Sequence, residues 1–157
     1  MEIQPVTLAN ALHVALNMRA ADREEIYATR WTDNPLDLAR DCVRLAAFSW
    51  CFCLDGAPVA ILGAGPMHPG VWSAYMFATD WFRKIRFSMT RHVRRVMLPA
   101  LVDAGCHRVQ CHSMEGHAEA HAWLESFGSR REGRLVGYGR NGEDFLTYVW
   151  TPAYVQP

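Results

Sequence analysis

Lysine is nearly missing from this chain. Lys84 is the single one among 16 Lys plus Arg, a bias that GC-rich codon usage accounts for. Net charge is missing as well: the 16 cations are matched by 16 Asp plus Glu, so no global field selects nucleic acid or a membrane surface, and any such preference must come from a local patch. No apolar run approaches the roughly 20 residues that cross a bilayer, which excludes a transmembrane helix. The 5 cysteines (Cys42, Cys51, Cys53, Cys106, Cys111) are an odd number without the tight spacing of a secreted scaffold, and no signal-peptide pattern accompanies them. Reduced thiols in a cytosolic setting are therefore expected. Repeats, linkers and low-complexity segments are also lacking, so the 157 residues are expected to form one domain spanning 1–157, with half the chain apolar and available for a core.

What is present alternates between two periodicities. "EIQPVT" is a short strand candidate, and Leu8, Ala11, Leu12, Ala15 and Leu16 recur at helical spacing. "RAADREEIYATR" restarts a helix, with Asp22 placed as a cap and Glu24 and Glu25 in the first turn, where the helix dipole favours carboxylates. Asn34 before Pro35 opens a third helix whose buried side is expected to carry Leu36, Ala39, Val43 and Leu45. "FSWCFCL" and "APVAILGAG" flank Asp55-Gly56, a hairpin signal, and "VWSAYMFAT" supplies a third antiparallel partner after the loop "GPMHPG". These strands are almost continuously apolar, which predicts a sheet covered on both faces.

A long helix follows from Arg83, with Met89, Val93, Val96, Met97, Ala100 and Leu101 on its apolar side and Pro99 expected to loosen it. Then come a strand "HRVQCH", a helix "EGHAEAHAWLESFG", and a hairpin from "GRLVGYG" and "DFLTYVW". The order implies an α+β fold with helices on a mostly antiparallel sheet.

"NMRAADREEIYA", "LDGAPVAILGAGP", "WSAYMFATDWFRKIRFSMTRHVRR" and "HAEAHAWLESFG" together span most of the chain from Asn17 to Gly128. In order and spacing they resemble the GCN5-related N-acetyltransferase (GNAT) superfamily. Within it, the chain is most similar to GNAT-like proteins of short-tailed bacteriophages that are grouped with internal virion proteins. The resemblance implies a GNAT-like, mostly antiparallel sheet of about six or seven strands. It also implies acetyl-CoA as co-substrate, with its pantetheine arm between the fourth and fifth strands. Its thioester carbonyl would lie on a fourth-strand amide among Phe77, Ala78 and Thr79, and its pyrophosphate at the start of the next helix.

The family's Gln/Arg-x-x-Gly-x-Gly/Ala loop falls on Arg83, Lys84, Ile85, Arg86, Phe87 and Ser88. Arg83 fits the first position and Ser88 is small like the last, but Arg86 stands where glycine is usual. Helix-start amides and these cations suit a phosphate, whereas the lost glycine adds a side chain at the point of closest approach. A solvated basic helix start is the other reading, and the direction of Arg86 separates them.

Transfer to an amine needs a base for the amine, polarisation of the carbonyl and a proton for the leaving thiolate. The family's tyrosine acid corresponds to Leu124, so the usual acid is absent. Substitutes implied by position are His112 and Ser113 at the end of the fifth strand, His117 near the next helix start, and Tyr138 on the sixth strand. Each also has an ordinary structural role open to it: edge polar residue, helix cap, or partly exposed helix residue. His117 and His121, four apart beside Cys111 and His112, form a weak zinc pattern without a CxxC or HExxH partner, so no metal is expected. Cys111 as nucleophile lacks an assigned base. Trp81 could cover an adenine or a partner surface.

The expected function is a phage-encoded acetyltransferase acting on a host protein or small amine in the host cytoplasm. The alternative is an inactive GNAT scaffold, as a virion component or an inhibitor of a host protein. Monomer and homodimer both remain open, with no nucleic-acid or membrane partner expected.

Overall fold

The computed structural model describes residues 1–154, so the last residues of the expected 1–157 domain, 155–157, lie outside the described residues. Strand β1 (Glu2–Pro5) leads into three helices, α1 (Leu8–Leu16), α2 (Ala20–Ala28) and α3 (Pro35–Arg44). Strands β2 (Ser49–Leu54), β3 (Ala57–His68) and β4 (Val71–Ala78) form an antiparallel meander. A long helical segment follows: α4 (Phe82–His92), a π-helical turn at Val93–Met97, and α5 (Leu98–Asp103). Strand β5 (Arg108–Met114), helix α6 (Ala118–Glu125) and strands β6 (Arg130–Leu135) and β7 (Phe145–Trp150) complete the order. The seven strands form one sheet in the order β1-β2-β3-β4-β5-β7-β6, and only β4 and β5 run parallel.

Local chemistry explains most boundaries. Thr7 and Asn10 form a reciprocal capping box on α1, and Asn34 Oδ1 accepts from the Leu36 amide ahead of Pro35 at the start of α3. Asp55 (φ 52°) and Gly56 (φ 80°) both adopt left-handed backbone, the requirement of the tight hairpin turn between β2 and β3. The expected loop "GPMHPG" is shorter than read, because Pro66–His68 still pair with β4 across a bulge. Pro99 acts one turn earlier than itself: lacking an amide donor, it follows a π turn that carries Met97 and Leu98 inward and leaves Val96 exposed.

Helix α3 is rotated from its expected face. Leu38, Ala39 and Cys42 are buried, whereas Val43 and Leu45 are exposed. The apolar residues at 36, 39, 43 and 45 fit a helix, but Cys42 counts as a small hydrophobe and tips the choice of side.

Both sheet faces are covered, as the continuous apolar strands predict. Phe52, Leu62, Ile85, Met89 and Trp123 pack on the side of α4, α5 and α6; Val14, Ala15, Leu38, Ile61 and Phe77 pack on the side of α1–α3. Along β4 the residues alternate accordingly, with Ala74, Met76 and Ala78 on the first side and Tyr75 and Phe77 on the second. Gly63 on β3 is required there: a Cβ would lie 2.5 Å from the Tyr75 ring and hydroxyl and 2.6 Å from Ser49 Oγ, two groups already bonded to each other. Gly63→Ala is expected to cost about 1–3 kcal/mol through overpacking, read as a lower urea midpoint with an unchanged slope; full stability of the variant would show that Tyr75 swings aside.

Candidate functional site

Strands β4 and β5 pair only from Val71 to Ser73 against Arg108 to Gln110. Beyond that seam they separate, and β7 holds β5 away by pairing with it from Val109 to Met114. The gap opens into a cavity of about 250 Å³ lined by Tyr75 and Met76 from β4, Cys111, His112 and Ser113 from β5, Tyr148 from β7, Ile26 and Leu124 from the covering helices, and Tyr138 from the loop after β6. Thr79 donates its amide to Val59 on β3, so alternation turns the Met76 and Ala78 amides the other way, toward the gap.

The Ala78 amide is already taken. Asp22 Oδ2 accepts it at 2.7 Å, and the Arg19 amide donates to the Ala78 carbonyl at 2.9 Å. Asp22 is therefore not the cap of α2 that its position suggested; it is a buried clamp on the end of β4. Arg19 grips it twice, with Nη2 to Oδ1 at 2.6 Å and Nε to Oδ2 at 3.2 Å, and lies over the Phe82 ring at 4.4 Å. Burial raises the pKa of Asp22 above the ordinary carboxylate value, against the lowering pull of Arg19.

Glu25 forms the second centre. Its Oε2 accepts from Ser113 Oγ at 2.8 Å and the Met114 amide at 2.7 Å, and meets His117 Nδ1 at 3.0 Å. His117 is buried before the first turn of α6, and its Nε2 makes no hydrogen bond, lying 3.6 Å from Asp22 Oδ1. Burial works to lower the pKa of His117, but the hydrogen bond and charge of Glu25, aided by Asp22, leave it raised overall. Sequence reading passed over Glu25 as a first-turn carboxylate, because nothing local pairs it with β5.

The other expected residues divide between the two sides of the gap. His112 is half-buried, with Nδ1 3.2 Å from Thr147 Oγ1 and its ring edge-on to Tyr138 at 5.2 Å; burial lowers its pKa. Tyr138 lies in the loop after β6 rather than on that strand, and it is exposed at the cavity lip. On the α6 side, Tyr148 of β7 lines the same cavity as Leu124, donates to Glu125 Oε1 at 3.0 Å and stacks on His121. Burial, then the Glu125 contact, pushes the Tyr148 hydroxyl up to about 12. It is a hydroxyl that sequence reading missed, recoverable only from the register Cys111 to Tyr148. Burial pushes the Cys111 thiol up to about 12 too, which leaves it protonated and unsuited to nucleophilic attack.

His117 bonds to Glu25 and His121 Nε2 lies 3.1 Å from the Met114 carbonyl, so the two do not converge; among the described residues no three His, Cys, Asp or Glu side chains are placed to hold a metal.

The basic turn has partners of its own. Helix α4 begins at Phe82, and the Phe82 and Lys84 amides already donate to the Thr79 and Trp81 carbonyls. Arg83 Nε bonds Glu119 Oε1 at 3.1 Å, Lys84 Nζ lies 3.9 Å over the exposed Trp81 ring, and the Arg86 guanidinium lies 5.0 Å over the exposed Phe87 ring. Arg86, half-buried, thus turns to the exposed Phe87 ring on the outer side of the helix. Ser88 sits nearly two turns into the helix. Arg83 and Lys84 are exposed and Arg86 half-buried, so the turn presents cationic side chains to the solvent more than free amides.

Comparison with solved structures places this fold. Ribosomal-protein-alanine N-acetyltransferase from Brucella melitensis superposes with a TM-score of 0.72 at 16% identity, over 96% of this chain and 99% of that one. The GNAT-family acetyltransferase from Bacillus anthracis gives 0.69 at 15% identity, over 95% and 93%. The yncA protein of Salmonella typhimurium, solved with its cofactor acetyl-CoA, gives 0.66 at 12% identity, over 96% and 93%. No family model and no curated protein matches the sequence.

Glu25→Gln is expected to lose about 1–3 kcal/mol of stability as buried donors lose their carboxylate. The sign with pH follows from His117: its folded pKa is raised, so its contribution is complete below the unfolded value of about 6.5 and disappears as pH rises through the folded value. The deficit should therefore be larger near pH 6 than near pH 8 in denaturant titrations; a pH-independent deficit would separate His117 from Glu25. Together, the splayed β4–β5 seam, the cavity beneath it and these superpositions give the chain the fold of the GNAT acetyltransferases.

Proposed function

We propose that the protein is a GNAT-type N-acetyltransferase that moves an acetyl group from acetyl-CoA to a primary amine. The observation that carries this is the gap between β4 and β5, with an amide-bearing strand edge on one side and a half-buried histidine on the other. Acetyl-CoA supplies the activated thioester. Met76 offers the inward amide for its carbonyl, and Arg83, Lys84 and Arg86 offer charge for its phosphates.

The chain's own groups divide the proton work. His112, with its lowered pKa, is neutral at physiological pH and can accept the proton that the amine releases as its nitrogen bonds the acetyl carbon. Glu25, fixed through Oε2, keeps Oε1 to receive the amine as its ammonium, which gives its first proton to solvent before the neutral nitrogen attacks. Tyr148 stands on the α6 side as the proton source for the departing sulfur, in place of the tyrosine that Leu124 replaces. The likeness to short-tailed-phage proteins supports a host protein amine as acceptor and the host cytoplasm as the place of action.

A second reading has one specific observation behind it. The clamp of Asp22 and Arg19 on Ala78 occupies a β4 amide that an acyl donor would otherwise use, which favours a non-catalytic scaffold that binds a host protein.

Calorimetric titration decides between them. Acetyl-CoA is expected to bind the wild type and to bind Arg83→Ala/Arg86→Ala about tenfold or more weakly, as charge-assisted contacts are lost; no binding by the wild type would leave only the scaffold. In an acetylation assay His112→Ala is expected to lower kcat by about 10²- to 10⁴-fold. The wild-type rate should hold down to pH values below the ordinary histidine pKa, because His112 stays neutral there, and then fall. A variant that keeps both the rate and that acid limb would remove His112 as the base.

A further inference from the structure

Six charged side chains alternate in sign from the cavity to the basic turn. Glu25 meets His117 at 3.0 Å, His117 Nε2 faces Asp22 at 3.6 Å, and Asp22 is gripped by Arg19 at 2.6 Å. Arg19 Nη1 then reaches Glu119 Oε2 at 3.2 Å, and Glu119 Oε1 holds Arg83 Nε at 3.1 Å. The inner members are buried and the outer end is open: the Arg19 side chain is 9% exposed and that of Arg83 81%. Glu119 is the joint, with one oxygen on a buried guanidinium and the other on a guanidinium in solvent.

We propose that Glu119 is a positioning residue that couples occupancy of Arg83 by a phosphate to protonation of His117. The inference rests on the reading of the basic turn as a phosphate site. An anion on Arg83 releases Glu119, which then draws Arg19 away from Asp22. Asp22 regains uncompensated negative charge beside His117 and holds its proton more tightly. His117 orients Glu25, so the state of the cofactor turn is felt at the amine end of the cavity.

The groups facing His117 are few. Asp22, Glu25 and, behind Asp22, Arg19 come from the α1–α2 segment; Ser113 and Met114 come from β5; Glu119 and His121 belong to α6. Its unpartnered Nε2 makes it the member whose proton responds to Asp22.

NMR titration of the His117 ring in the full chain tests the coupling. In Glu119→Gln, Arg19 turns wholly to Asp22, and the His117 midpoint moves to lower pH than in the wild type. In Arg83→Gln, Glu119 turns wholly to Arg19, and the midpoint moves to higher pH. Both shifts should persist near 1 M salt, where the Debye length is about 3 Å and through-solvent effects of the exposed Arg83 vanish. Acetyl-CoA, and inorganic pyrophosphate as the bare anion, should reproduce the Arg83→Gln shift in the wild type and not in Glu119→Gln.

Titrations that coincide for all three proteins at high salt would overturn the coupling, as would a ligand that binds by calorimetry and leaves His117 unmoved. If the variants shift His117 but neither anion binds, the ladder stands as a path within the protein, and the phosphate reading of the turn falls instead.

Discussion

The buried carboxylate of Asp22 is the constraint on which the site depends. It closes the amide end of β4, anchors the turn between α1 and α2, and faces His117 across the gap. A lone buried carboxylate would be costly, so the arginine that grips it is part of the same device. The two residues lie three apart in sequence, yet their joint effect is to fix an element from the first third of the chain against a strand and a helix far from it in sequence. Helix α2 is weakly amphipathic and has little apolar surface to hold it down. Polar bonds to β4 and β5 take over that task, and they do so at the cavity wall.

This arrangement makes the cavity asymmetric. On the side of α1–α3 it is polar and titratable, with Glu25, His112 and the lip at Tyr138. On the side of α4–α6 it is aromatic and aliphatic, with Leu124, Trp123 and Phe127. The lip is tied across: the Arg140 amide donates to the Ala28 carbonyl at 2.8 Å, and Arg140 pairs with Asp33 at 2.7 Å. The loop after β6 thus belongs to the same wall as the end of α2.

Much of the fold could be read from residue order. The Asp55-Gly56 turn, the capped start of α3 and the two-sided apolar strands each rest on local chemistry or on periodicity, and they appear where expected. The site was less legible. Ser113 at the end of β5 and His117 ahead of α6 were named from the family resemblance, but Glu25 could not be joined to them, because the bonds that unite them span most of the chain. Asp22 was misread for the same reason: near the start of the helix it resembles a cap, and only the fold delivers the Ala78 amide to it. Arg86 shows the converse case. Its substitution for glycine raised the question of a blocked turn, and the adjacent Phe87 answers it by offering the guanidinium an aromatic face on the outside.

The sheet order has a consequence for how the protein is made. Strand β7 lies between β5 and β6, so β5 acquires its antiparallel neighbour only after everything else in the sheet has been synthesised. Within the sheet, β5 is paired until then only with β4, through the short parallel seam, and its other edge lacks a strand neighbour. Such an edge is a template for pairing with another chain, and its partner here is remote in sequence, which slows closure. The wall that shapes the cavity is consequently completed only when Phe145–Trp150, the last strand in sequence, takes its place between β5 and β6.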